Sequence, residues 1–220
     1  MTAARRGRPP AGAETLSLHR VLTEALALID EKGLEAVSMR QVATRLGVNP
    51  MSLYNHVQDK DDLLKGVAGL LLAKIEYPEE GLEPRVSLEA LARSFRAAML
   101  LHPTAAPIVL TRQLPPEVIL RPIEAVVGPM LAAGLSPQRA VHALRATLAF
   151  TIGTLLREVN VAPTVGVLGE PNVARRQGEL EATGLPATAA AAPYLARMDH
   201  ESEFEFGLAL LLDGLFRFRT

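Results

Sequence analysis

The chain has 220 residues, of which 49% are hydrophobic, and a formal net charge of −1. This length and hydrophobic content are sufficient for a buried core, which excludes a disordered or fibrous protein. The absence of cysteine excludes disulfides, thiol nucleophiles and cysteine zinc sites, and no apolar run approaches the roughly 18 residues that a membrane span needs.

The first segment, residues 1–14, is basic and rich in proline and glycine. It cannot bury enough apolar surface to order itself, so we expect a flexible arm. Two interpretations remain open, namely a solvated tail or an arm whose Arg6 and Arg8 enter a narrow DNA minor groove. The segment also lacks the apolar core of a signal peptide, so we expect a cytoplasmic protein.

The first predicted helix begins at Ser17, whose side chain is a good N-cap, and ends at Gly33. Its apolar residues recur at helical spacing and predict one buried face. They are Leu18, Val21, Leu22, Ala25, Leu26 and Ile29.

Two further short helices are predicted between Ser38 and Val57. Ser38 followed by Gln41 has the form of a capping box, and Gly47 suits the left-handed position that ends a helix. Asn49 and Pro50 then supply the cap and first residue of the next helix. Two helices joined by a tight glycine turn predict a helix-turn-helix, although such hairpins are also common packing units.

A fourth helix is predicted from Asp59 to Glu76, ending before Pro78. It links the hairpin to the rest of the chain. The sequence therefore predicts a flexible arm at 1–14, a helix-turn-helix domain at 15–64 and a larger helical domain at 65–220.

The larger domain is predicted to be all-α, since no strand pattern is strong enough to compete. Helices are expected from Ser87 to Pro103, at 104–111, at 116–133 with breaks or kinks at its prolines, and from Ser136 to 159. Residues 160–192 hold three prolines and four glycines and predict a long mobile loop. A final helix is expected over 200–218.

Two of these helices are apolar on too many sides for a surface position. One contains Leu144, Leu148 and Leu155, and the other contains Phe206 and Leu211. A helix that is hydrophobic all round is buried all round, so we expect a helical bundle formed between two copies of the chain.

The hairpin region resembles the DNA-binding domain of the TetR (tetracycline repressor) family. The resemblance rests on the stretches ALALIDEKGLEAVSMR, VATRLGV, LYNHV and DKDDLL. FTIGTLLREV and FEFGLALLLDGL are similar, more loosely, to the family's C-terminal ligand-binding and dimerising domain. The resemblance implies a homodimeric regulator, most often a repressor, that binds a palindromic double-stranded DNA operator and is released by a small-molecule effector.

Several residue types in the hairpin suit DNA chemistry. The Arg40 guanidinium matches a guanine edge, Ser52 and Asn55 can bond base edges, and Met51 can contact a thymine methyl. The resemblance puts Tyr54, His56 and Lys60 on phosphates and makes the positions of Pro50 and Met51 variable, so it leaves the operator sequence open. The predicted DNA-binding residues are Arg6, Arg8, Ser38, Arg40, Pro50, Met51, Ser52, Tyr54, Asn55, His56 and Lys60.

The resemblance also implies an effector cavity in the larger domain. Candidate lining residues are Phe95, Met99, His102, Leu110, Arg112, Phe150 and Arg157. Leu110 and Arg157 align with positions where the tetracycline-responsive members hold magnesium-coordinating histidine and glutamate, so tetracycline–magnesium recognition is not implied. We expect no metal and no cofactor.

Enzymatic motifs are missing from the sequence, which contains no Walker loop, GxGxxG after a strand, HExxH or GxSxG. Catalytic residues are therefore not predicted. The alternative hypothesis is a helical bundle that binds or converts a small molecule and carries a vestigial hairpin. Specific binding to DNA discriminates the two.

Overall fold

The computed structural model describes residues 16–79, 81–159 and 170–217, and those residues form eleven α-helices without a strand. The all-α prediction is confirmed. The chain divides into two compact units, Met1–Leu70 and Leu71–Thr220. This boundary lies inside a helix, a little later than the predicted division between residues 64 and 65.

The first unit contains α1 (Leu18–Lys32), α2 (Met39–Leu46), α3 (Pro50–Leu53) and most of α4 (Lys60–Leu72), with a short 3-10 turn at Leu34–Ala36. Its core is made of side chains that are at most 9% exposed. They include Val21, Ala25, Ile29, Val42, Leu46, Leu53, Val57, Leu63 and Leu64.

The predicted helix starts in this unit carry the expected caps. The Ser17 hydroxyl accepts from the Arg20 backbone N–H at 3.2 Å. Asp59 accepts from the Asp62 N–H at 2.8 Å, and the Asp62 carboxylate in turn accepts from the Gln58 N–H at 2.8 Å. Each bond satisfies a backbone donor that a helix start leaves without an intrahelical partner.

The linking helix is shorter than predicted, because α4 ends at Leu72 rather than at Glu76. After Leu72 the backbone tightens, with Ile75 N–H donating to the Leu72 carbonyl at 3.1 Å. The next N–H, that of Glu76, donates to the Ser94 hydroxyl at 2.7 Å. This side-chain acceptor replaces the carbonyl that another helical turn would have supplied.

The second unit begins with α5 (Pro84–Leu100), α6 (Ala106–Thr111), α7 (Pro116–Ala132) and α8 (Pro137–Glu158). Glu83 caps α5, which begins at Pro84, three residues before its predicted start at Ser87. Ser136 caps α8 as expected. Breaks or kinks were predicted within α7, and breaks are not found, since the helix continues through Pro122 and Pro129.

Residues 160–192 were predicted to be a loop, and this prediction is wrong for the described part. The chain forms α9 (Glu170–Glu181) and α10 (Pro186–Leu195), which pack against each other. Arg175 pairs with Glu179 at 3.0 Å along α9, and α10 has proline in its first turn and an alanine run after it. Alanine content and i,i+4 pairs outweigh the loop signal of the flanking glycines and prolines. Residues 160–169 lie outside the described ranges.

The last helix, α11 (His200–Arg217), packs on α5 and α8. Its inward side chains Phe204, Leu208 and Leu212 are at most 1% exposed and follow an i,i+4 spacing. Gly207 leaves room for the Phe150 ring of α8, whose edge would lie 2.5 Å from an added Cβ. In the part of the chain that the structure describes, no helix is long and apolar enough to cross a membrane.

Candidate nucleic-acid interface and ligand cavity

The predicted helix-turn-helix is formed by α2, a glycine turn and α3. Gly47 adopts the left-handed conformation, with φ 68° and ψ 29°, and its N–H donates back into α2. Asn49 then caps α3 by accepting from the Met51 N–H at 2.9 Å. These local bonds end α2 and start α3, and they satisfy backbone N–H groups that the helix ends would otherwise leave without a partner.

The hairpin faces its core with one side and solvent with the other. Leu53 and Val57 are 0% and 3% exposed, as the spacing predicted. Met51 is 70% exposed and Tyr54 48%. Of the other predicted contacts, Arg40, Pro50 and Asn55 are exposed and Ser38, Ser52, His56 and Lys60 are half-buried.

Ser38 has a structural role as well as a predicted DNA contact. Its hydroxyl accepts from the Gln41 N–H at 3.2 Å, which anchors the start of α2. Arg6 and Arg8, predicted for the minor groove, lie outside the described residues.

Two cations near the hairpin are engaged within the protein. Arg45 bonds Glu24 at 2.7 Å and holds both carboxylate oxygens of Glu31 at 2.6 Å. Hydrogen bonding by Arg45 lowers the pKa of Glu31 below its ordinary value. Lys65 bonds Asp61 at 2.8 Å, and this hydrogen bond raises the pKa of Lys65. Arg45 therefore links α2 to α1, whereas Lys65 pairs within α4.

Arg40 and Lys60 differ from these two cations. Neither forms a salt bridge with a carboxylate among the described residues. The Arg40 guanidinium and the Lys60 ammonium can therefore donate hydrogen bonds to a partner molecule such as DNA. Arg40 lies at the second position of α2 and Lys60 at the first position of α4.

The second unit encloses a cavity of about 400 Å³ between α5, α6, α7 and α8. Its wall is mostly apolar, which is typical of sites for small organic molecules. The lining residues are Leu72, Ile75, Leu88, Leu91, Ala92, Phe95, Val109, Leu110, Arg112, Gln113, Leu114, Ile119, Pro122, Ile123, Val126, Leu144, Thr147, Leu148, Thr151 and Ile152.

The cavity brings together three of the seven residues predicted for an effector site. Phe95 projects from α5, Leu110 from the end of α6 and Arg112 from the segment that follows it. Leu110 is 7% exposed, whereas Arg112 is exposed and has a partner within the protein.

The other four predicted residues do not line the cavity. Met99 is fully buried in α5, and His102 lies in the turn that follows that helix. Phe150 stacks on Phe204 with ring centroids 5.8 Å apart, and Arg157 bonds Glu203 at 2.9 Å. Phe150 and Arg157 therefore lie on the side of α8 that contacts α11.

Three polar lining residues, Gln113, Thr147 and Thr151, were missed by the sequence prediction. The sequence could have indicated two of them. Thr147 and Thr151 are one helical turn apart in an otherwise apolar stretch of α8. Side chains at that spacing share a face, and the same face carries Leu144, Leu148 and Ile152.

The cavity wall offers no metal-binding donor set. Its lining residues include no histidine, aspartate or glutamate. Across the described residues, no cluster of three or more His, Cys, Asp or Glu side chains is placed to hold a metal ion. The residues at the cavity therefore do not fit a coordinated metal ion.

Comparison with known proteins places both units in one family. The family model for bacterial regulatory proteins of the tetR family matches residues 21–67, and the model for the tetracyclin repressor-like C-terminal domain matches residues 77–218. The chain is 32% identical over 205 residues to the class A tetracycline repressor protein from transposon 1721 of Escherichia coli, covering 91% of this chain and 90% of that protein.

Two solved structures from Streptomyces coelicolor are also similar. The TetR family protein ActR in complex with actinorhodin has a TM-score of 0.79 and 27% identity, with 93% of this chain and 98% of that chain covered. A possible TetR family transcriptional regulator has a TM-score of 0.77 and 32% identity, with 92% and 100% covered. The chain therefore belongs to the TetR family of bacterial regulatory proteins and is a ligand-responsive transcriptional repressor of that family.

Proposed function

We propose that the chain binds a palindromic operator as a homodimer and leaves it when an effector fills the α5–α8 cavity. The observation that carries the proposal concerns α4. The helix starts at Lys60, directly after the hairpin, and its last residue, Leu72, lines the cavity. A ligand that displaces Leu72 would therefore act on the helix that follows the hairpin in the chain.

The expected coupling is modest in energy. A ligand shifts a two-state equilibrium only by its difference in affinity for the two states. Coupling free energies of about 1–3 kcal/mol are usual, which corresponds to a change in DNA affinity of roughly 5- to 150-fold. A shift of α4 would change the spacing of the two recognition helices in a dimer.

Support for the dimer comes from the outer face of α11. Phe206 is 70% exposed and Leu210 58% exposed, and at an i,i+4 spacing they share one face. This face points away from the buried side of the helix at Phe204, Leu208 and Leu212. Apolar residues exposed at helical spacing on a helix of this kind favour burial against a second copy.

Selection from a pool of random DNA duplexes tests the proposal directly. A two-fold dimer must present its recognition helices on one face of the duplex, so we expect palindromic sites with half-sites about one helical turn or somewhat more apart. Enrichment of asymmetric single sites, or no enrichment at all, would contradict the proposal. The latter result would favour the vestigial-hairpin alternative.

Arg40→Ala is expected to reduce sequence discrimination. A guanidinium that bonds a guanine edge contributes about 1–3 kcal/mol per half-site and specifies one base pair. The variant should therefore bind the selected operator more weakly and accept other bases at that pair. Titrations of operators substituted at single base pairs measure both effects.

Lys60→Ala is the matched comparison, since its ammonium lies at an α4 start whose backbone amides can face a phosphate. Phosphates are the same in every sequence. We expect operator and random DNA to be weakened by similar factors, and the slope of log K against log salt to fall by about one unit per half-site. An altered base preference with an unchanged slope would show that the hairpin is docked differently.

A further inference from the structure

We propose that the Thr147 hydroxyl forms the deep hydrogen bond to the effector, and that the effector is a mostly apolar, metal-free ring compound with a carbonyl or hydroxyl oxygen. The inference rests on the proposed function, because it takes the α5–α8 cavity as the effector site.

Thr147 is 6% exposed and lines the cavity, and its hydroxyl oxygen has no hydrogen-bond partner among the described residues. Other threonines of α8 behave differently. The Thr151 hydroxyl donates to the Thr147 carbonyl at 2.9 Å, and the Thr154 hydroxyl donates to the Thr151 carbonyl at 2.9 Å. Such bonds to a carbonyl one turn earlier are the usual solution for a threonine in a helix.

A buried hydroxyl gains stability from a hydrogen bond, and no described residue of the protein offers one to Thr147. An oxygen of a bound molecule would supply that bond. Thr147 can donate to a carbonyl and can also accept from a hydroxyl. The hydroxyl of Thr151, on the same wall, is already committed to the backbone.

The rest of the wall defines the class of molecule. Sixteen of the twenty lining residues are apolar, and a volume of about 400 Å³ suits a compound of a few fused rings. Of the described residues that line the cavity, Arg112 alone carries a charge. Burial against an apolar wall removes water from an ionised ligand, which disfavours its binding, and the lack of carboxylate and histidine removes the donors that a metal-chelated ligand would need.

Binding of fluorenone and fluorene to the full-length protein tests the inference. The two tricyclic compounds have nearly the same shape, and only fluorenone has a carbonyl. We expect the wild-type protein to bind fluorenone about tenfold more tightly than fluorene by calorimetry, since one hydrogen bond to a buried group has about that effect. Thr147→Val should remove this preference by weakening the binding of fluorenone.

Thr151→Val is the matched control, with the same substitution one turn away on the same wall, and it should keep the preference for fluorenone. Thr147→Val should also melt at close to the wild-type temperature without ligand, because the hydroxyl that it removes bonds no other described residue. Fluorenone and fluorene should both bind more tightly than 9-aminofluorene, whose protonated alkylamine makes it a cationic analogue of the same shape.

Equal affinity of the wild type for fluorenone and fluorene would overturn the inference, and so would an unchanged preference in Thr147→Val. Failure of both compounds to bind would overturn it as well. The calorimetry contains no DNA, so it tests the inference separately from the proposed function. Operator binding is then measured with and without fluorenone. If fluorenone binds through Thr147 but the operator complex is unaffected, the proposed release mechanism is contradicted and the inference stands.

Discussion

Leu210→Glu is expected to convert the protein from a dimer to a folded monomer. Leu210 is 58% exposed within one chain, so the substitution leaves the fold of that chain nearly undisturbed. In a two-fold dimer it would place two carboxylates in an apolar interface, each costing about 2–3 kcal/mol. We expect the dissociation constant of the dimer to rise by roughly 10³- to 10⁴-fold. Sedimentation velocity over a range of protein concentrations measures the change.

Leu120→Glu provides the control. Leu120 is 59% exposed, nearly the same as Leu210, but lies on α7. This variant should remain dimeric and bind the operator normally, whereas Leu210→Glu should lose operator binding together with the dimer. Circular dichroism should show both variants fully helical. A Leu210→Glu protein that dimerises like the wild type would refute the assignment of the α11 face.

Arg96→Met is expected to produce the largest loss of stability. Arg96 is 9% exposed and holds both oxygens of Glu158, at 2.8 Å and 3.0 Å, while also bonding Glu201. Its guanidinium lies 5.0 Å from the centre of the Phe204 ring. Removing it leaves the Glu158 carboxylate without its partner, at a cost of about 2–4 kcal/mol. The free energy of unfolding in urea measures the loss.

Arg93→Met is the matched control, one turn earlier on α5. Arg93 pairs with Glu89 and Glu205, but its side chain is 47% exposed, against 10% for that of Arg96. Exposed pairs contribute at most about 1 kcal/mol because water screens them. Adding Glu158→Met to Arg96→Met should recover much of the stability, since an apolar pair replaces the unpaired charge. Equal losses in the two single variants would contradict this account.

The hairpin was predictable from the sequence because its determinants are local. Ser38, Gly47 and Asn49 each act on backbone groups within a few residues, and the same residues perform those roles in the structure. Local bonds of this kind depend little on the rest of the chain. Exposure of Met51 and Tyr54 follows from the same helical spacing that buries Leu53 and Val57.

Other features required distant parts of the chain. Arg45 lies on the first helix of the hairpin, and its sequence position does not show that Glu24 and Glu31 of α1 bind it. Arg157 was a candidate cavity residue, yet it bonds Glu203 of α11. A sequence read along one helix does not reveal which acid from another helix will neutralise a cation.

By itself, then, the sequence determined the helix caps, the glycine turn and the all-α class, since each depends on contacts over a few residues or on helical periodicity. Only the tertiary structure decided which face of α8 lines the cavity. Thr147 and Thr151 contribute to its wall, whereas Phe150, on the same helix, packs against Phe204. The physical reason is that α8 is apolar on most of its circumference, so its periodicity cannot distinguish the side that faces α5 and α7 from the side that α11 covers.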